Sequence, residues 1–201
     1  MFYEPSKGHD LPHDPFKAIV APRPIGWIST VGADGSLNLA PYSFFNGLGT
    51  NPHLVMFSSE GAKDSMVYAR ETGEFVVNLA TRDLAEKMNA SSVVAPRGVS
   101  EFEHAGLTPV PSRLVRPPRV GEAHAALECK VTEIIQPKGL DGRSGDRFVV
   151  LGEVVGVYID EAVMTDGLFD IVKAGTISRL GYMDYATVTE TFSMRRPLWE
   201  K

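Results

Sequence analysis

The chain has 201 residues, of which 43% are hydrophobic and 22% are charged, and its formal net charge is −5. This composition is typical of one globular domain, so we interpret residues 1–201 as a single domain. The acidic balance gives no support for a nucleic-acid partner or an anionic membrane surface, and no apolar run is long enough to span a bilayer.

The N-terminal segment and the single cysteine indicate where the protein works. Residues 1–17 contain three prolines and no long apolar run, so they predict an N-terminal arm rather than a signal peptide. Cys129 excludes an internal disulfide and is typical of a reducing compartment. We therefore expect a cytoplasmic protein.

The first predicted strands form a hairpin. Residues 25–31 and 37–45 have strand character, and a turn centred on Asp34 and Gly35 joins them. Pro41 lies inside the second strand and cannot donate to a sheet ladder, so we expect an edge, a bulge or a break in pairing there. Backbone groups released by such a break can point at a ligand.

Short elements and a long irregular segment follow. The pattern predicts a loop over residues 46–52, a strand over 53–58, a helix over 62–72, a strand over 74–79 and a helix over 81–90. Thr81 is expected to cap the second of these helices. Residues 91–119 contain five prolines and predict an irregular excursion.

Two long strands are predicted near the C-terminus, over residues 125–135 and 147–159, with Gly152 and Gly156 as bulges of a closing barrel. Residues 160–201 are interpreted as an extension that packs on the barrel or on a partner subunit. Because no βαβ rhythm is present, we expect a mainly β protein, an antiparallel barrel with peripheral helices. The order helix–strand–helix between residues 62 and 90 keeps an α/β fold open as an alternative.

A candidate anion site lies where a strand leads into a helix. Ser58, Ser59, Lys63 and Ser65 place hydroxyls and an ammonium beside the positive end of that helix, which suits a phosphate monoester. The alternative is that Ser59 or Asp64 only caps the helix while Lys63 is solvated.

Aromatic side chains are concentrated on the neighbouring strands. They are Trp27, Tyr42, Phe44, Phe45 and Phe57. Such a set forms either ordinary core or a wall for a flat ring, and the polar neighbours Asn38, Ser43 and Asn46 favour the wall.

Other candidate features carry less information. The five histidines lack metal-ligand spacing, and no metal site is expected. Glu101 and Glu103 are interpreted as solvated loop charges. The segment 179–185 contains Arg179 and Tyr182, and it either closes a pocket or packs the tail onto the barrel or a partner.

Taken in order, these motifs resemble the flavin reductase-like family of FMN-binding split-barrel proteins, which includes flavoredoxins and flavoprotein oxygenase-like proteins. The resemblance is carried by RPIGWIST at 23–30, DG at 34–35, NLAPYSF at 38–44, PHLVMFS at 52–58, KDS at 63–65, GEFVVNL at 73–79 and ISRLG at 177–181. It extends from about residue 18 to residue 160 and continues through residue 181.

The resemblance implies a six-stranded antiparallel split barrel, a homodimer, and one FMN per subunit near the dimer interface. The isoalloxazine ring would lie along Asn38, Ala40, Pro41, Tyr42, Ser43 and Phe44. Ser29 and Thr30 would support the ribityl-phosphate side, with Ser58, Ser59, Lys63, Asp64 and Ser65 near the phosphate. Trp27, Arg179 and Tyr182 would be ring-side or lid contacts.

The implied function is that of an FMN-dependent oxidoreductase, a flavin reductase or a flavoredoxin-like electron-transfer protein. NADH or NADPH would donate the electrons, and another flavin, a partner protein or oxygen would accept them. No catalytic side chain is expected, because the flavin performs this chemistry. The alternatives are an FMN-dependent oxygenase acting on a small organic substrate and a flavin carrier without turnover.

Overall fold

A computed structural model describes residues 1–199. The strands are β1 (Arg23–Pro24), β2 (Gly26–Val31), β3 (Leu37–Tyr42), β4 (Phe45–Thr50), β5 (His53–Glu60), β6 (Glu74–Leu79), β7 (Pro109–Val110), β8 (Arg119–Val120), β9 (Ala125–Ile135), β10 (Arg147–Ile159), β11 (Met164–Thr165), β12 (Leu168–Phe169), β13 (Ile177–Arg179) and β14 (Tyr185–Thr187). The α-helices are α1 (Phe16–Ile19), α2 (Asp64–Thr72), α3 (Ala85–Ala90) and α4 (Glu101–His104), and Pro5–Lys7 and Glu161–Val163 form 3-10 turns.

The main sheet has seven antiparallel strands in the order β3-β2-β6-β9-β10-β5-β4. Its two edge strands, β3 and β4, are consecutive in the chain and only Ser43 and Phe44 separate them. Two residues span less than about 10 Å, so the sheet must curl until its edges approach each other. The mainly β fold and the barrel-like closure are therefore confirmed, and the α/β alternative is wrong.

Packing on both sides of β2 builds the core. One cluster of buried side chains contains Phe57, Met66 and Phe75 and packs the sheet against α2. The other contains Trp27 and Phe102 and lies under α3, α4 and the irregular segment between them. Because all six residues of β2 are buried, this strand is the partition between the two clusters.

Helix α2 follows its predicted course. It begins at Asp64, buries five consecutive residues and ends before Gly73, whose φ of 73° is a left-handed conformation that suits glycine.

No helix within residues 1–199 is long and apolar enough to cross a membrane.

Two elements differ from the sequence prediction. Residues 45–50 form β4, which pairs with β5, whereas a loop was expected over residues 46–52. The main sheet therefore has seven strands rather than six. Helix α3 begins at Ala85, and Thr81 does not cap it. Thr81 is instead buried in a bridge to Thr176, and its hydroxyl donates to the Asp83 carboxylate.

The long C-terminal strands agree with the prediction. β9 and β10 have the expected bounds, and their register shifts beside Gly152 and Gly156 are the expected bulges. The extension after residue 160 contacts the rest of the chain as far as β14, since Ile177 of β13 lies in the buried cluster around Trp27 and β13 pairs with both β1 and β14. Residues 189–199 are exposed.

Candidate functional site

The free edge of β3 is held by a buried carboxylate from α4. Glu101 is only 6% exposed, and its Oε2 accepts a hydrogen bond of 3.0 Å from the backbone N of Leu39. Burial raises the pKa of Glu101, while the hydrogen bond from Leu39 opposes this shift. The interpretation of Glu101 as a solvated loop charge is therefore wrong, because α4 covers the edge of the sheet.

A buried polar cluster ties β3 to the start of α2. The Asn38 amide donates to the Ser65 hydroxyl at 2.7 Å and to the Thr30 hydroxyl at 3.3 Å. Burial raises the pKa of Tyr42, and hydrogen bonding with Ser65 and Ser59 opposes this shift. These predicted site residues therefore meet in one place, but their side chains bond to one another in the interior.

The N-terminus of α2 carries the features of the predicted anion site. Lys63 occupies the N-cap position and no side chain caps the helix, so neither Ser59 nor Asp64 does so. The hydroxyl of Ser58 is buried and has no hydrogen-bond partner within residues 1–199. Because the first N–H groups of a helix need acceptors, this end of α2 can bind an anion. Lys63 is exposed, and Asp64 accepts a hydrogen bond of 3.0 Å from Arg97.

Two predicted site residues are instead committed to the core. Trp27 is 0% exposed, and its indole N–H donates to the Ser91 hydroxyl at 2.9 Å. Ser29 is also fully buried, and its hydroxyl donates to the carbonyl of Pro118 at 2.6 Å. Neither side chain therefore has a free surface with which to contact a cofactor.

A cavity of about 850 Å³ opens at the other end of β3. Four of the predicted residues line it, namely Pro41, Ser43, Arg179 and Tyr182. The Arg179 guanidinium donates to the carbonyl of Tyr182 at 2.5 Å and lies 4.5 Å from the Tyr185 ring centroid. The C-terminal segment 179–185 therefore forms a wall beside the predicted ring-binding residues.

Phe44 joins the two edges of the sheet. The Arg23 guanidinium lies 5.8 Å from its ring centroid and that of Arg147 lies 5.5 Å away. Both distances permit cation–π attraction, which restrains the short connection between β3 and β4. Ala40 and Tyr42 are partly buried on β3.

Sequence reasoning missed Lys17, Arg23 and Arg82 as cavity residues. Each belongs to a different segment, and no local spacing relates them to Arg179. Arg23 belongs to the predicted motif only as the first residue of RPIGWIST. These residues become neighbours only through the pairing of β1 with β13 and the bridge that joins Thr81 to Thr176.

Metal-binding side chains and the single cysteine are further reactive groups among the residues that the structure describes. Within the described part of the chain, no group of three metal-binding side chains is close enough to hold an ion. Cys129 is buried, and burial raises the pKa of its thiol, so it remains protonated at neutral pH.

Comparison with known proteins identifies the family. The flavin reductase like domain matches residues 20–175, which is most of the chain. This protein belongs to the flavin reductase-like family. A flavin cofactor is therefore the ligand for which this fold is known, and the resemblance seen in the sequence is confirmed.

Three solved structures are among the most similar. Nitrilotriacetate monooxygenase component B from Bacillus cereus has a TM-score of 0.87 and 30% identity, covering 96% of this chain and 98% of that one. 2-Nitrobenzoate 2-nitroreductase from Pseudomonas fluorescens has a TM-score of 0.80 and 30% identity, covering 90% and 88%. A protein with a split barrel domain from Shewanella frigidimarina has a TM-score of 0.79 and 27% identity, covering 91% and 89%. The half-barrel of this flavin reductase-like protein is thus a split barrel.

Proposed function

We propose that this protein binds FMN and works as a flavin reductase or flavoredoxin-like oxidoreductase supplied with electrons by NADH or NADPH. The observation that carries the proposal is the N-terminus of α2, where the first N–H groups are uncapped and Lys63 is exposed, together with the unpartnered hydroxyl of Ser58 on β5, the strand that leads into this helix. A phosphate would satisfy all three, and the family supplies the reason to expect that it belongs to a flavin.

The residues present fit the two chemically different ends of FMN. Lys63, Ser58 and the α2 backbone would hold the phosphate, and the β3 segment from Ala40 to Phe44 would lie along the ring. The buried bonds from Asn38 to Ser65 and Thr30 fix the position of β3 relative to α2. This internal cluster would keep the two binding regions at a constant separation without touching the cofactor.

When bound, FMN would supply the electron chemistry, which is the acceptance of a hydride from a reduced nicotinamide and the transfer of the electron pair to an acceptor. The chain needs to bind and orient both reactants and to keep water from the ring. Glu101 would help by holding Leu39 and thereby the edge strand β3 in place. Cys129 takes no part, because its thiol is buried and protonated.

The visible spectrum of the purified protein tests this proposal. We expect flavin absorption bands, in the protein as isolated or after addition of FMN, which bleach when NADH or NADPH is added without oxygen. Bands that persist with both donors would instead support a flavin carrier supplied by a partner. A colourless protein that does not bind added FMN would contradict the proposal.

The Lys63→Ala variant tests the phosphate end. We expect FMN binding to become less favourable by roughly 1.5–3 kcal/mol, because a charge-assisted contact is lost. FMN fluorescence titration measures the Kd. Lys138→Ala, in the exposed loop between β9 and β10, is the matched control and should leave the Kd unchanged. Equal Kd values for Lys63→Ala and the unmodified protein would rule out this role of Lys63.

A further inference from the structure

The 850 Å³ cavity beside β3 is strongly basic. Four positive side chains and one carboxylate, that of Glu86, line it, which amounts to a formal charge of +3. The whole chain carries −5, so the cavity opposes the overall charge of the molecule. A basic cavity in an acidic protein concentrates anionic ligands at that place.

One wall of the cavity has an unsatisfied guanidinium. Arg23 is almost fully buried, with 6% exposure. Its guanidinium donates hydrogen bonds to the carbonyls of Lys17, Val20 and Leu180. Its Nε still has no hydrogen-bond partner within residues 1–199. Burial and then the nearby charge of Arg179 lower the pKa of Arg23. Two guanidiniums brought this close together favour an anion between or beside them.

Two further cations are available to a ligand. Lys17 and Arg82 are exposed residues of the lining, and neither forms an ion pair with any residue between 1 and 199. Their substitution would break no such pair in the fold. They are therefore the side chains whose contribution to binding can be tested with the least effect on stability.

The cavity is separate from the proposed phosphate site. Pro41 and Ser43 line it, whereas Ser58, Lys63 and Ser65 do not. Asn38, which bonds to Ser65, lies three residues before Pro41 on β3, a separation of about 10 Å along an extended strand. A ligand in the cavity would thus meet the ring end of the proposed flavin site.

The lining also offers surfaces for aromatic groups. Tyr182 and Tyr185 are 55% and 40% exposed, whereas the apolar lining residues Ile25, Met88 and Ile177 are almost fully buried. The volume lies within the range of small-molecule sites. Basic groups combined with exposed aromatic rings suit a nucleotide, whose phosphates and bases need both.

We propose that this cavity is the co-substrate subsite and that Lys17 and Arg82 bind the phosphate groups of the nicotinamide dinucleotide. This proposal rests on the proposed function, since it assumes FMN along residues 40–44. Two kinds of phosphate could be bound here. One is the diphosphate bridge that both donors share, and the other is the 2′-phosphate that only NADPH carries. Titrations with NAD⁺ and NADP⁺ distinguish them.

The test compares Arg82→Gln and Lys17→Gln with the unmodified protein, all loaded with FMN. Isothermal titration with NAD⁺ and NADP⁺ measures equilibrium binding without turnover. We expect each substitution to raise the dinucleotide Kd roughly 10- to 100-fold, because a charge-assisted contact is lost. A loss for both dinucleotides assigns the residue to the diphosphate, and a loss for NADP⁺ alone assigns it to the 2′-phosphate.

The matched control is Arg143→Gln, which makes the same charge change in the loop between β9 and β10, outside the cavity lining. The control should leave the dinucleotide Kd unchanged, and all variants should keep the FMN Kd. Unchanged dinucleotide binding in both cavity variants overturns the proposal. Weakened FMN binding also overturns it, because the cavity would then hold the flavin phosphate. Failure of the unmodified protein to bind FMN is a separate result, which contradicts the proposed function before any variant is compared.

Discussion

For several residues, burial in the folded chain gives a different role from the one that the side-chain chemistry predicted. Trp27 and Ser29 have the chemistry of ligand contacts, yet their polar atoms are used by Ser91 and by Pro118 in the interior. Glu101 has the chemistry of a solvated charge, yet it is buried against β3. A side chain can be assigned to solvent, core or ligand only when its neighbours are known.

Glu101 provides a prediction for stability. Glu101→Ala leaves the buried N–H of Leu39 without an acceptor, and we expect the free energy of unfolding to fall by about 1–3 kcal/mol. Glu101→Gln retains an acceptor oxygen and avoids the burial of a charge, so it should be at least as stable as the unmodified protein at pH 7. Urea unfolding measures both, and equal losses for the two variants would show that the hydrogen bond to Leu39 does not matter.

The same residue predicts a pH dependence. The pKa of Glu101 is raised above its ordinary value of 4.5, so the folded state binds the proton more tightly than the unfolded state. Its contribution to stability is fully present below the unfolded pKa and is lost as the pH rises through the folded pKa. Urea unfolding of Glu101→Gln across this range should show a smaller decline than the unmodified protein, whereas parallel curves would contradict the assignment.

Among the elements, β10 shows how a strand can be recognised and yet depend on its neighbours. Its bounds and bulges follow from a long β-branched run interrupted by glycines. A residue of another strand, Phe75 of β6, limits the space at Gly152, because a Cβ at this position would lie 2.5 Å from Cε1 of Phe75. Phe75 is fully buried and packs edge-on against Phe57, with 5.3 Å between ring centroids.

Gly152→Ala is therefore expected to destabilise the fold. The added methyl group forces Phe75 out of its packed position, at a cost of about 1–3 kcal/mol in the free energy of unfolding. Gly145→Ala is the control, since a Cβ at that position meets no atom within 4 Å and the backbone is not left-handed. Thermal or urea unfolding compares the two. A loss no greater than that of the control would show that Phe75 moves without penalty.

For the whole molecule, the C-terminal tail leaves several large apolar side chains exposed. Phe192, Met194, Leu198 and Trp199 are 83–90% exposed and follow the last strand of the fold. Such a concentration of apolar side chains in water is unfavourable for a lone chain. This agrees with the homodimer implied by the family resemblance, which we retain as a proposal.

Light scattering coupled to gel filtration measures the mass directly. We expect twice the chain mass of 21.9 kDa, because a second copy would cover apolar surface that one copy leaves in water. A chain shortened after Thr189 removes the four exposed apolar residues, and we expect its dimer to dissociate at a higher protein concentration. A mass of 21.9 kDa for the full chain at micromolar concentration would contradict the homodimer.

Features that depend on neighbouring residues could be predicted from the sequence, whereas features that depend on contacts between distant segments could not. Helix α2 was predicted because its signals are local, including the glycine that ends it. β4 was missed because Gly47 and Gly49 have weak strand preference and β5 supplies the pairing. At the candidate site, the α2 end was predicted from adjacent residues, whereas Arg82 and Lys17 were missed because distant segments bring them to the cavity.

The sequence by itself determined the mainly β class, the family, the hairpin around Asp34 and Gly35, and the strand-to-helix junction that carries the candidate anion site. Each depends on contiguous residues whose backbone preferences and order are written in the chain. Only the tertiary structure decided that β3 and β4 close the sheet, that Glu101 is buried, and that Arg23 and Arg179 share one basic cavity. These features depend on which distant segments exclude water from one another, and local preferences do not contain that information.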